Sequence, residues 1–174
     1  DHTIAVRHPD ASEKLTSLDG VAHTSTDNML MISDGRKPLA LAGVMGGLNS
    51  EISTETNNVL LESAYFDPLN IRKTSKSLGI STDSSQRFER GVDPQGLIYA
   101  INRAAQMMTE LAGGKVAAVA GAAREALVAG LVLGGGQPGV TATQEQIGDG
   151  CPGREGFGAD GLGFANVVDG KSGG

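Results

Sequence analysis

Apolar positions recur at two spacings along this chain, and the places where the spacing changes mark its elements. Thr3-Ile4-Ala5-Val6-Arg7 alternates with the period of a strand, and Leu15-Thr16-Ser17-Leu18 does so more loosely before the turn pair Asp19-Gly20. Met29 to Ser33 predicts a third strand closed by Asp34-Gly35, and Leu39 to Ala42 a fourth, antiparallel to it. That apolar run ends in Gly43-Val44-Met45-Gly46-Gly47, three glycines within five residues, where backbone must turn sharply or approach something closely. Leu48 to Asn58 is polar and reads as a loop. Val59 to Phe66 is almost continuously apolar, which predicts a strand covered on both faces.

The period then lengthens. Asp67-Pro68 is a helix start, since Asp caps free amides and Pro fits the first turn, and the helix is expected from about Pro68 to Leu78 with its stop at Gly79. Ile80 to Gly91 reads as a polar segment. A second Asp-Pro, Asp93-Pro94, opens the strongest helical pattern: Leu97, Ile98, Ile101, Ala104, Ala105, Met108 and Leu111 share one face, and Gly113-Gly114 ends it. Beyond Lys115 no period persists. Of 26 glycines, 18 lie from Gly113 onward, a composition that cannot offset its ordering entropy by burial. The fold class is therefore α+β, with mixed or antiparallel β-sheet layers, two surface-packed helices and a Gly-rich irregular tail. The domain division is 1–114 for the α+β domain and 115–174 for the tail.

Composition narrows the function. A net charge of −6 argues against generic nucleic-acid binding, so any RNA contact is local or shared with other chains. The single cysteine, Cys151, excludes an internal disulfide and a Cys-rich zinc site, and a reducing, cytoplasmic setting is the default. No long apolar segment predicts a membrane span and no signal-peptide pattern opens the chain, which starts at Asp1 in the manner of an excised or processed piece. His2, His8 and His23 match no common zinc spacing and lie far in sequence from the serines at 81–85, so each is expected at the surface. A metal-dependent hydrolase is the weaker enzyme class.

One residue asks for chemistry. Glu62 stands alone in an apolar strand, and a buried carboxylate is costly without a partner or a ligand. It either braces the fold through Arg72, Arg87 or Arg90 or serves a pocket; the residues alone leave both open. Arg72, Lys73, Lys76, Arg87 and Arg90 form the main basic concentration.

Four ordered runs carry a resemblance: Ala40 to Gly47, Val59 to Pro68, Ile71-Arg72-Lys73-Thr74, and Thr82-Asp83-Ser84-Ser85-Gln86-Arg87-Phe88-Glu89-Arg90-Gly91-Val92-Asp93-Pro94. From about Ile4 to Gly114 the chain resembles the editing region, the third and fourth modules, of the phenylalanyl-tRNA synthetase beta subunit. The resemblance implies a ligase subunit whose editing module hydrolyses tyrosine wrongly attached to phenylalanine tRNA. It implies a misacyl pocket of Gly43, Met45, Gly46, Glu62 and Ser84, with Arg72, Lys73 and Lys76 as tRNA-contact candidates and no metal. It assigns no catalytic side chain and no cofactor to this domain, ATP and Mg²⁺ belonging to the complete synthetase. The implied partners are the synthetase alpha subunit, the remaining beta-subunit modules and phenylalanine tRNA, with neither membrane nor DNA. A pocket-lining Thr-Asn pair and a Leu-His or Met-His element of that family would precede Asp1. The alternative is a structural or tRNA-contacting module without hydrolysis of its own. Val140 to Ile147 faintly resembles a helix of the family's following, DNA-binding-like module.

Overall fold

The computed structural model describes residues 3–121, 126–134, 141–142 and 167–169, with side chains from 4 to 116. The first half is strand-rich: β1 (Thr3–Arg7), β2 (Lys14–Thr16), β3 (Ala22–Thr24), β4 (Met31–Ser33), β5 (Pro38–Leu41), β6 (Met45–Gly46) and the long β7 (Asn58–Phe66). Three helices follow, α1 (Pro68–Leu78), α2 (Asp83–Phe88) and α3 (Leu97–Ala112), then β8 (Val116–Gly121), β9 (Ala126–Gly134), β10 (Thr141–Ala142) and β11 (Val167–Asp169). One sheet has the order β10-β1-β4-β5-β6, antiparallel except for β10 beside β1; a second has the order β11-β7-β9-β8; and β2 pairs with β3 as a hairpin.

Local chemistry explains most of these boundaries. The β4–β5 hairpin closes through the Asp34 carboxylate, which accepts from the amides of Arg36 and Lys37, each at 2.9 Å. Asp67 caps α1 by accepting from the amides of Leu69 and Asn70, with Pro68 at the first turn, and Gly79 ends the helix at φ 67°. Asp93 caps a 3₁₀ turn, Pro94–Gly96, so the helix announced by Asp93-Pro94 becomes α-helical from Leu97.

Alternation along β7 builds the core. Ala64 and Phe66 join the main cluster with Met29, Met31, Leu41, Val44, Ile71 and Phe88, while Leu61, on the opposite face, packs against Ile101 and Ala105 of α3. The strand is thus covered on both faces, as its continuous apolar run predicts. The Phe66 and Phe88 rings meet edge to face at 4.9 Å, joining β7 to α2.

Three readings need correction. The segment from Ile80 to Gly91 contains α2, because Thr82 and Ser85 form a reciprocal capping box and Phe88 anchors the helix in the core. The apolar stripe of α3 is narrower than its spacing suggests: Leu97, Ile101 and Ala105 are buried, whereas Ile98 is exposed and Leu111 is 83% exposed. Past Lys115 the chain is regular in part, since β9 pairs with β7 along Asn58 to Phe66 and with β8 on its other side. A strand flanked on both sides tolerates an unbroken apolar run, which carries no period to read. Of Val140 to Ile147, Thr141–Ala142 is the strand β10, and the remainder lies outside the described residues.

Arg7 and Glu13 clamp β1 to the start of β2 through two parallel bonds of 2.8 Å. The Arg7 bonds hold the Glu13 carboxyl below its ordinary 4.5, against a smaller opposing effect of burial. A depressed folded-state pKa means that this contribution is complete above the unfolded value and is lost as pH falls through the folded one. Glu13→Gln is therefore expected to lower the urea midpoint at pH 7 and to flatten its decline between about pH 5 and pH 3; equal declines in the two proteins would contradict the clamp.

Candidate functional site

The glycine run follows β5 directly, and its geometry explains each glycine differently. Gly43 turns at φ 67°, and a Cβ there would stand 2.7 Å from both Ile71 Cδ1 and Phe66 Cδ2. The turn conformation and the packing exclude a side chain together. Gly46 has an ordinary φ and an added Cβ would press on Leu18 at 3.1 Å, whereas one at Gly47 would strike the Leu39 carbonyl and stand 2.8 Å from Leu15 and Asn49. Met45, just before Gly46, is half-buried against the main cluster.

Ser84 reaches this run. Its hydroxyl donates to the Gly43 carbonyl at 3.1 Å, and the Thr82 hydroxyl donates to the Val44 carbonyl at 2.7 Å. Two expected site residues 41 positions apart are thereby brought into contact. Glu62 is 5% exposed and lies on the same alternating face of β7 as Ala64 and Phe66, and the Phe66 ring touches Gly43. Four residues of strand place it roughly 13 Å along β7 from Phe66. Glu62 is not without a partner in the fold.

Arg72, Lys73 and Lys76 project from the exposed side of α1, with Arg72 and Lys76 one turn apart and Lys76 in the last turn, where the helix dipole favours a cation. Among the described residues no ion pair engages these three. Arg87 stands 3.7 Å from Asp83 one turn away, an exposed contact of little energetic weight.

Two histidines depart from the expected surface placement, and His2 lies outside the described residues. Half-buried His8 contacts the Met29 carbonyl through Nδ1 at 2.9 Å. His23 Nε2 lies 2.9 Å from Ser17 Oγ, and Ser17 in turn donates to Asp19 at 2.5 Å. The sequence reading missed this cluster because the β2–β3 hairpin assembles it. Its polarity is wrong for a nucleophile: the Ser17 proton goes to the carboxylate, so His23 donates to Ser17 and removes nothing from it. The Ser17 bond, helped by the Val21 amide, holds the Asp19 carboxyl below its usual range. Buried Ser17 bridges to Gly47, so the cluster braces the far end of the glycine run. Among the described residues no group of three or more His, Cys, Asp or Glu is placed to hold a metal, and no helix is long and apolar enough to cross a membrane.

The B3/4 domain model matches residues 1–113, so the chain belongs to the B3/4 domain family. Similar proteins include the phenylalanine–tRNA ligase beta subunits of Geobacter metallireducens, 57% identical over 114 residues, and of Syntrophus aciditrophicus, 53% identical over 113 residues. These matches take in 66% and 65% of this chain and 14% of each relative, so the chain spans about one-seventh of the length of the subunits it matches. The subunit of Salinibacter ruber is 52% identical over 116 residues, 67% of this chain and 14% of that relative.

Gly43 and Gly79 share φ 67°, but nothing within 4 Å would meet a Cβ at Gly79. Gly79→Ala is expected to cost about 1 kcal/mol, the conformational term alone, and Gly43→Ala at least about 2 kcal/mol because Phe66 and Ile71 must also shift. Equal costs in urea denaturation would show that the core does not fill the space at the turn.

Proposed function

We propose that this chain is the editing module of a phenylalanine–tRNA ligase beta subunit, hydrolysing tyrosine esterified to phenylalanine tRNA. The observation that carries the reading is the buried carboxylate of Glu62 on the β7 face that leads, through Phe66, to the contact between Gly43 and Ser84. The similarity to phenylalanine–tRNA ligase beta subunits supports it.

The physical task is to sense one hydroxyl. A pocket that merely has room for the extra oxygen discriminates weakly, whereas a buried polar group that needs a hydrogen-bond partner rejects an analogue lacking one by factors of about 10⁴ to 10⁵ in favourable sites. Glu62 would accept the phenolic proton as a further, charge-assisted bond beside its partner in the fold, a bond that phenylalanine cannot supply. Gly43, Met45 and Gly46 would offer backbone to the aminoacyl group, and Ser84, small and tied to Gly43, would leave space for the ring. An aminoacyl ester is intrinsically reactive, so holding water in line with its carbonyl suffices and no nucleophilic side chain is required.

In this reading the alpha subunit and the remaining beta-subunit modules complete a cytoplasmic synthetase, which binds ATP and Mg²⁺ elsewhere. Arg72, Lys73 and Lys76 meet phosphates of the acceptor end, the local contact that a chain of charge −6 requires. That exposed stripe also favours the second reading, a tRNA-contacting module without hydrolysis.

The test uses the complete beta subunit assembled with its alpha partner. Glu62→Ala is expected to slow deacylation of tyrosyl-tRNA for phenylalanine about 100-fold, near 3 kcal/mol. Unchanged deacylation would remove the specificity role of Glu62, and no deacylation by the unaltered complex would favour the second reading.

A further inference from the structure

We propose that Thr82 is a positioning residue of this site, acting through the glycine run and not on substrate. This inference rests on the editing reading given above. The Thr82 hydroxyl has one proton, and at 2.7 Å it is given to the Val44 carbonyl. The same oxygen accepts the Ser85 amide at 3.0 Å, while the Thr82 amide donates to Ser85 Oγ at 2.9 Å. One hydroxyl therefore does two things: it caps α2 and it ties the start of that helix to the backbone that carries Gly43, Met45 and Gly46.

The tie adds a hold on the carbonyl side of a run whose Val44 side chain is buried in the core and whose Met45–Gly46 pairs with β5. Gly43 and Gly46 have no side chains to anchor them, and Met45 is only half-buried. From the β5 side, Val44 donates to the Leu41 carbonyl at 3.0 Å, and from the far side Leu18 donates to the Gly46 carbonyl at 3.0 Å. Between those bonds the Gly43 and Val44 carbonyls are held by Ser84 and Thr82, consecutive bonds from one helix start. Ser84 is half-buried and belongs to the expected pocket. Thr82 stands outside that pocket set, and its hydroxyl is fully used within the protein. A displacement of about 1 Å at reacting atoms costs up to about 100-fold in rate, so a tether of this kind is legible in turnover.

The cap and the tether separate chemically. Aspartate at an N-cap accepts the helix amide as threonine does, but an ionised carboxylate has no proton to give Val44. Thr82→Asp therefore keeps α2 and removes the tether, and Thr82→Ser keeps both. In the beta subunit complexed with its alpha partner, Thr82→Asp is expected to lower kcat for deacylation of tyrosyl-tRNA about 10-fold or more, with KM within about twofold, and Thr82→Ser to restore kcat to within about twofold of the unaltered enzyme. In the 174-residue chain, hydrogen exchange at the Val44 amide is expected to quicken in Thr82→Asp and to stay unchanged in Thr82→Ser. Turnover and exchange unaltered in Thr82→Asp would overturn the role, as would a Thr82→Ser variant as impaired as Thr82→Asp. An unaltered complex without deacylation would overturn the editing reading and the positioning role of Thr82 together. With deacylation intact and both variants normal, only the role of Thr82 falls.

Discussion

The turn at Gly43 is the constraint on which the rest of this structure depends. Its positive φ brings the chain from β5 back toward β6, and the space a side chain would fill is taken by Phe66 of β7 and Ile71 of α1. Phe66 also meets Phe88 of α2, whose first residues bond the turn's carbonyls. One backbone position therefore meets two core side chains and the start of α2 at once. Close packing transmits a change at any of these points to the others, because such an interior has no slack to absorb it.

That convergence gives a physical reason for placing small and polar groups beside a large apolar core. Ser84 and Thr82 spend their hydroxyls on backbone carbonyls, which satisfies buried acceptors and fixes the run. At the other end Ser17, Asp19 and His23 brace Gly47 in the same manner, although their residue types resemble a hydrolytic triad. Direction of donation separates the two cases, since a serine whose proton is committed to a carboxylate is not poised to attack. Glu62 differs from these groups in its place, 5% exposed within the long strand β7 itself.

Much of this was legible in the sequence, and the failures have physical causes. The β4–β5 hairpin, β7, α1 and α3 announce themselves through alternation, continuous burial and Asp-Pro starts, and each forms near its expected bounds. The helix α2 does not, because six polar-rich residues are too few for a period and its stability comes from a capping box and one phenylalanine. The strands β8 and β9 hide in an Ala, Val and Gly composition whose order depends on pairing with β7. The candidate residues were nominated one by one from family-like runs, but the contact of Ser84 with Gly43 is a product of tertiary folding. The Thr82 tether was invisible for the same reason: a threonine before Asp83 reads as a cap, and only the fold supplies Val44.

The most direct test of the account is a crystal structure of the beta subunit, with its alpha partner, bound to a non-hydrolysable tyrosyl-adenosine in which an amide replaces the ester. The account predicts the phenol oxygen within hydrogen-bond distance of the Glu62 carboxylate, at about 2.5–3.0 Å, and the aminoacyl backbone against residues 43 to 47. An analogue bound elsewhere, or a Glu62 carboxylate turned away from a ligand seated beside Gly43, would contradict it.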